Sequence, residues 1–97
     1  MPLKEKYKEK IIAVLSALFP GAKIYLYGSR ARGDHGERSD IDVAIDVGKE
    51  LPRVDVGEAR DMLAESNIPY RIDVVDLHGV SKKMRENILR DGVLWKS

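Results

Sequence analysis

Leu3, Tyr7, Ile11, Val14, Leu15 and Leu18 recur at the three-and-four spacing of one helical face, with Lys and Glu filling the positions between. Pro20-Gly21 ends that pattern. From Lys23 the period changes to two, with Ile24 and Leu26 on one face of a strand and Tyr25 and Tyr27 on the other. Residues 29–32 suffice for a short helix stopped by Gly33, and residues 34–38 read as a polar loop between glycines. Residues 40–47 alternate strictly, with Ile41, Val43, Ile45 and Val47 set against Asp40, Asp42, Ala44 and Asp46. Asp55 and Glu58 have the capping-box spacing, which predicts a helix from about Asp55 through Ala59, Met62 and Leu63 to about Ser66. Residues 70–77 predict a third strand and residues 81–91 a last helix, with Gly92 as its stop.

This order constrains the topology. If the end of the first strand, Gly28, is to meet the start of the second, Asp40, those strands run antiparallel. A helical crossover then joins the second strand to the third, and crossovers of that kind connect parallel strands. Parallel strands start on the same side, so Asp73 falls near Asp40 and Asp42. The expected fold class is α+β: one domain over residues 1–97, a small mixed sheet of about three strands, and helices packed mainly on one face. The carboxylate face is expected to stay comparatively open.

Composition narrows the function classes. The 97 residues are enough for one compact domain. A net charge of +1 gives no evidence for nucleic-acid binding through a global field, so any anion site must be local. Without cysteine there is neither a disulfide framework nor a thiolate metal site. The charged start MPLKEKYKEK is unlike a signal peptide, and no apolar run reaches membrane-spanning length, so a soluble cytoplasmic protein without membrane association is expected.

The chemistry concentrates between residues 28 and 42. Ten residues separate Gly28-Ser29 from Asp40-Ile41-Asp42. Gly28 has no Cβ, so a phosphate can approach its backbone. Ser29 adds a hydroxyl and opens a turn whose free N–H groups attract anions. Asp40 and Asp42, two apart on a strand, share a face, and Asp73 joins them from the third strand. At about 5 Å and an effective dielectric near 20, one such pair repels by about 3 kcal/mol, a cost that a divalent cation reverses. Hard oxygen donors suit Mg²⁺ or Mn²⁺. Asp40, Asp42 and Asp73 are therefore the candidate metal ligands, with Asp73 also placed to help deprotonate an acceptor hydroxyl. Arg32 and, less clearly marked, Arg30 are candidates for gripping a triphosphate. The plainer alternatives are that Asp40 caps a turn, that Asp73 is an exposed strand residue, and that Lys23 and Arg71 are solvated strand charges. Asp76 competes with Asp73 but falls on the opposite face. His35 reads as a solvated loop residue and Trp95 as a seal on the core.

Gly28-Ser29, Arg32-Gly33, Asp40-x-Asp42 and the segment PYRIDVVDL with its Asp73 resemble the minimal nucleotidyltransferases of the DNA polymerase β superfamily, over nearly the whole chain. The resemblance implies a palm-like nucleotidyltransferase fold. It implies transfer of a nucleoside monophosphate, AMP in the first instance, from a triphosphate such as ATP with Mg²⁺. It also implies a helical HEPN-type partner, of which this chain would be the antitoxin that adenylylates a tyrosine. Two rival readings stand beside it: an antitoxin that neutralises only by covering its partner, and a nucleotidyltransferase with a small-molecule acceptor. The intact carboxylate set favours an enzyme over the pure binder, and the lack of room for an acceptor domain disfavours the small-molecule enzyme.

Overall fold

The structure is a computed structural model that describes residues 4–33, 36 and 39–97. Along the chain run α1 (Glu5–Leu18), β1 (Lys23–Tyr27), α2 (Ser29–Arg32), β2 (Ile41–Asp46), α3 (Arg53–Ala64), β3 (Ile72–Asp76), α4 (Lys82–Asp91) and β4 (Val93–Lys96). The strands form one mixed sheet in the order β3-β2-β1-β4. β1 pairs antiparallel with β2 and with β4, whereas β2 and β3 are parallel, as the crossover through α3 requires. The pairing expected for the first three strands is observed, and β4 extends the sheet by one strand. Val93, Leu94 and Trp95 gave no alternating signal because β4 is a short edge strand with a register shift opposite Ile24 and Tyr25.

The period-two pattern of β1 and β2 divides the core between the two faces of the sheet. Ile24, Leu26, Ile41, Val43, Ile45 and Val74 pack against Ile11 and Leu15 of α1 and Val56, Ala59 and Leu63 of α3. Leu15 is fully buried there, so truncation to Ala would cost about 3 kcal/mol. On the opposite face Ala44, Leu77 and Ile88 form a smaller cluster with Tyr25, Tyr27, Val75, Val80 and Met84. Helix α4 therefore covers the face that bears the two tyrosines, while α1 and α3 pack together on the other, so the helices lie mainly on one face. Ile88 carries the packing of α4.

Local chemistry sets the ends of the last two helices. Helix α3 starts at Arg53, two residues before the expected point, because Pro52 with φ −59° and ψ 141° leads the chain straight into the first turn. Asp55 lies inside that turn and no side chain caps the helix, so the Asp55–Glu58 pair is not a capping box. Helix α4 is capped as expected by Ser81, whose hydroxyl accepts from the Met84 N–H at 3.2 Å. At its other end Gly92 N–H donates to the Ile88 carbonyl at 2.7 Å, and the chain passes directly into β4. A Cβ on Gly92 would collide with the Ile88 carbonyl and stand 3.2 Å from that of Leu26, so only glycine fits this junction. Among the described residues, no helix is long and apolar enough to cross a membrane.

Candidate active site

The site forms where β1 ends. Gly28 adopts φ 76° and ψ −154°, a backbone conformation nearly closed to residues with a Cβ. The turn also lies tight against β2: a Cβ at Gly28 would come within 2.5 Å of Asp42 Oδ2. Two independent constraints thus require glycine here. Ser29–Arg32 follow as the single turn of α2, with Gly33 in the left-handed region at its end. The turn at Gly28 therefore lies directly against the Asp42 carboxylate.

The register aligns the functional side chains. Tyr27 pairs with Asp42 across β1 and β2, and Asp42 pairs with Asp73 across β2 and β3. Directly opposed residues share a face, so Tyr27, Asp42 and Asp73 form a row across three strands. Asp40, exposed, lies two residues before Asp42 and just outside the strand. Burial raises the Asp42 carboxyl above its ordinary value, Asp73 and then Asp40 raise it further, and Arg32 opposes them. The Tyr27 phenol is held far above its ordinary value, first by burial and then by Asp42 and Asp73, so it remains a protonated donor; Arg60 opposes that shift.

Arginines play three different roles. Arg32 projects from α2 into a cleft of about 220 Å³ lined also by Tyr27, Gly28, Met84, Asn87, Ile88 and Asp91. Arg30 is nearly buried and belongs to the scaffold: its Nε and a terminal nitrogen donate to the Ser39 carbonyl at 3.1 and 2.9 Å, and its guanidinium stacks on Tyr70 at 4.7 Å. It anchors the start of β2, and hence Asp40, to α2. Arg60 stands outside the motifs read from the sequence. Its Nε donates to the Val74 carbonyl at 2.9 Å and lies 3.4 Å from Asp73 Oδ1. A signal existed, since Arg60 is flanked on α3 by the buried Val56, Ala59 and Leu63 and so stands at the rim of an apolar stripe.

The remaining candidates separate by position. Lys23 pairs with Asp46 at the other end of the sheet and takes no part in the site. Arg71 is exposed just before β3. Trp95 is half-buried against the larger core beneath Lys8, whose ammonium lies 5.9 Å from the ring. His35 lies outside the described residues. Asp76 does face away from Asp73: it is buried and accepts from the Leu51 N–H at 2.7 Å and the His78 N–H at 3.0 Å. Asp46 accepts from the Gly48 N–H at 2.8 Å and contacts His78 Nε2 at 2.7 Å. Burial works against the charged form of Asp46, but these bonds, with His78 and Lys23 nearby, hold it below its ordinary value.

Among the described residues no three carboxylates or imidazoles already stand in metal-holding geometry. The donor chemistry nevertheless fits a hard divalent cation. Asp42 is raised by two neighbouring carboxylates, which is the local excess of negative charge that such an ion relieves, and the turn at Gly28 leaves no side chain in the way.

Residues 9–97 match the family described as polymerase β nucleotidyltransferase. The chain belongs to that family. As a nucleotidyltransferase it is 30% identical, over 95 residues, to the protein adenylyltransferase MntA of Shewanella oneidensis, covering 96% of this chain and 68% of that protein. It is 27% identical, over 88 residues, to the probable protein adenylyltransferase MntA of Haemophilus influenzae, covering 91% and 77%. Among solved structures, this nucleotidyltransferase superposes with a TM-score of 0.79 on a chain of a toxin–antitoxin crystallised with AMP-PNP, at 30% identity and covering 91% of this chain and 71% of that one. A complex of a tri-AMPylated Shewanella oneidensis HEPN toxin with its MNT antitoxin matches with a TM-score of 0.76 at 26% identity, covering 96% and 71%.

Proposed function

We propose that this nucleotidyltransferase moves AMP from ATP to a tyrosine hydroxyl of a helical HEPN-type toxin and thereby acts as its antitoxin. One observation carries the reading: the Gly28 turn lies directly against a carboxylate row whose neighbouring charges repel one another. That arrangement stabilises nothing by itself and becomes favourable when phosphate and cation enter together. The names of the relatives, protein adenylyltransferases and toxin–antitoxin complexes, supply the acceptor class.

The roles follow from position. Gly28 and Ser29 receive the triphosphate through backbone N–H groups and a hydroxyl, and Arg32 faces the leaving pyrophosphate. Asp40, Asp42 and Asp73 would hold Mg²⁺ or Mn²⁺, which when bound supplies charge neutralisation of the phosphates and activation of the attacking oxygen. Asp73, at the outer end of the row, accepts the proton of the acceptor hydroxyl. That oxygen forms the new bond to the α-phosphorus as the bond to the β-phosphate oxygen breaks and pyrophosphate departs. Tyr27, held protonated, stands beside Asp42 in the same row.

Incubation with ATP, Mg²⁺ and the product of the adjacent gene tests the reading. The expected result is a gain of one AMP mass on a tyrosine of that product, which stays inactive after separation. Asp40→Asn combined with Asp42→Asn should still bind the partner but fail to modify it. Full neutralisation by the double variant without a mass change would favour neutralisation by simple covering.

A further inference from the structure

The sheet has two outer strands, and they are protected differently. On β3 the strand itself carries Asp73 and Asp76, and Arg60 reaches from α3 to donate to the Val74 carbonyl at 2.9 Å. Charges on an edge strand discourage another chain from adding to it. At the opposite edge β4 reads Val93-Leu94-Trp95-Lys96, with neither proline nor an acidic residue. Five large hydrophobic side chains stand exposed among the described residues, and three of them, Leu89, Val93 and Leu94, lie together where α4 turns into β4. Leu94 is opposite Tyr25 and shares the α4 face of the sheet. Val93 is opposite Leu26 and shares the α1 face, towards which Trp95 also packs.

We propose that β4 is a dimerisation edge, which pairs antiparallel with β4 of a second copy of this chain about a two-fold axis through Leu94. A two-fold contact uses the same patch on both copies, so the patch must complement itself. In this register it does. Leu94 of one copy meets Leu94 of the other on the α4 face. Val93 meets Trp95 on the α1 face, a β-branched side chain against an aromatic one. Moving the axis by half a residue either way would set Leu94 against Val93 or Trp95, whose side chains belong to the opposite face, so one register is selected. Charge agrees with the choice. Lys96 meets Gly92, and the two Lys96 residues stand about 14 Å apart along the ribbon, beyond the screening length of about 8 Å at physiological salt. Leu89, on α4 beside the junction, widens the apolar patch. Four residues make a contact smaller than a standard interface, so the dimer forms and separates with concentration.

Sedimentation of the whole chain at increasing concentration tests the pairing. The weight-average mass should rise from 10.9 kDa towards twice that value. Leu94→Lys sets two ammonium groups on residues facing each other at about 5 Å, and Leu94→Glu two carboxylates, so each variant alone should stay monomeric. An equimolar mixture of the two variants should dimerise again, because Lys then faces Glu. Leu94 is exposed in the single copy, so both variants should melt close to wild type, which separates loss of pairing from loss of fold. A wild type that stays monomeric at every concentration, single variants that dimerise as it does, or a mixture that remains monomeric would overturn the proposal. So would a monomeric wild type whose binding to the product of the adjacent gene is lost on Leu94→Lys, since the edge would then belong to that partner.

Discussion

Strands β2 and β3 carry aspartates at both ends, and the two ends differ in what those carboxylates face. At the late end, Asp46 and Asp76 each accept a pair of close polar contacts from loop backbone or His78. At the early end, Asp42 and Asp73 face each other across the parallel register, with Asp40 beside them. The shifts run in opposite directions: Asp46 is held below its ordinary value and Asp42 above it. A carboxylate given its own donors is part of the scaffold. One set against its own kind costs the fold stability instead of adding to it.

The largest break in that comparison is Asp42→Asn. Transfer should fall by about a thousandfold or more in a quenched-flow or mass assay, whereas the metal-free melting temperature should stay level or rise as one repulsion is lost. A melt several degrees below wild type in EDTA would place Asp42 with the scaffold instead. Asp76→Ala should do the reverse. Two backbone donors lose their buried acceptor, so urea unfolding should show a loss of about 2 to 3 kcal/mol, while activity per folded molecule remains near wild type.

Gly28→Ala should damage both properties. The positive φ costs about 1 to 2 kcal/mol, and the new methyl must displace Asp42 Oδ2, so stability and transfer should fall together. Unchanged transfer in a folded Gly28→Ala protein would separate the turn from the carboxylate row.

The smallest effect sharpens the comparison most. Asp42 has a folded pKa above 3.8, so its ionised form costs stability at neutral pH, and that cost disappears as pH falls through the folded value towards 3.8. Asp42→Asn should therefore exceed wild type in metal-free melts at pH 7 and match it near pH 3. Asp46 has a folded pKa below 3.8, so its contribution is complete above 3.8 and is lost as pH falls through the folded value. Asp46→Asn should melt below wild type at pH 7, with the gap closing in acid. Equal signs for the two variants would erase the distinction between the ends.

Much of this arrangement was legible in the sequence because it depends on period and spacing. The alternation of residues 40–47 set which side chains share a face, and the positions of Gly28 and Asp40 required the antiparallel pair that the register shows. The parallel crossover then brought Asp73 opposite Asp42. What stayed hidden depends on contacts between elements. Arg30 and Arg32 lie two apart in one turn, and only packing against Ser39 and Tyr70 reveals that the first belongs to the scaffold. The apolar stripe of α3 marks the position of Arg60, but its reach to Asp73 depends on how α3 packs on β3. The edge strand β4 lacked alternation, and α4 crossed to the tyrosine face because of Ile88, a lone buried residue in a polar helix.

The junction at Gly92 has a mechanical consequence. Helix α4 forms one wall of the cleft beside Gly28, and its last turn is fastened to the sheet with no slack: Gly92 bonds to Ile88 and leads at once into β4, which is paired to β1. The wall and the floor of the cleft thus move as one piece, without a hinge on that side. Width on that side is therefore set by the bulk of Met84 and Ile88 rather than by breathing of the helix. A change in what that cleft admits would come by substitution at those two positions, not by remodelling of a loop.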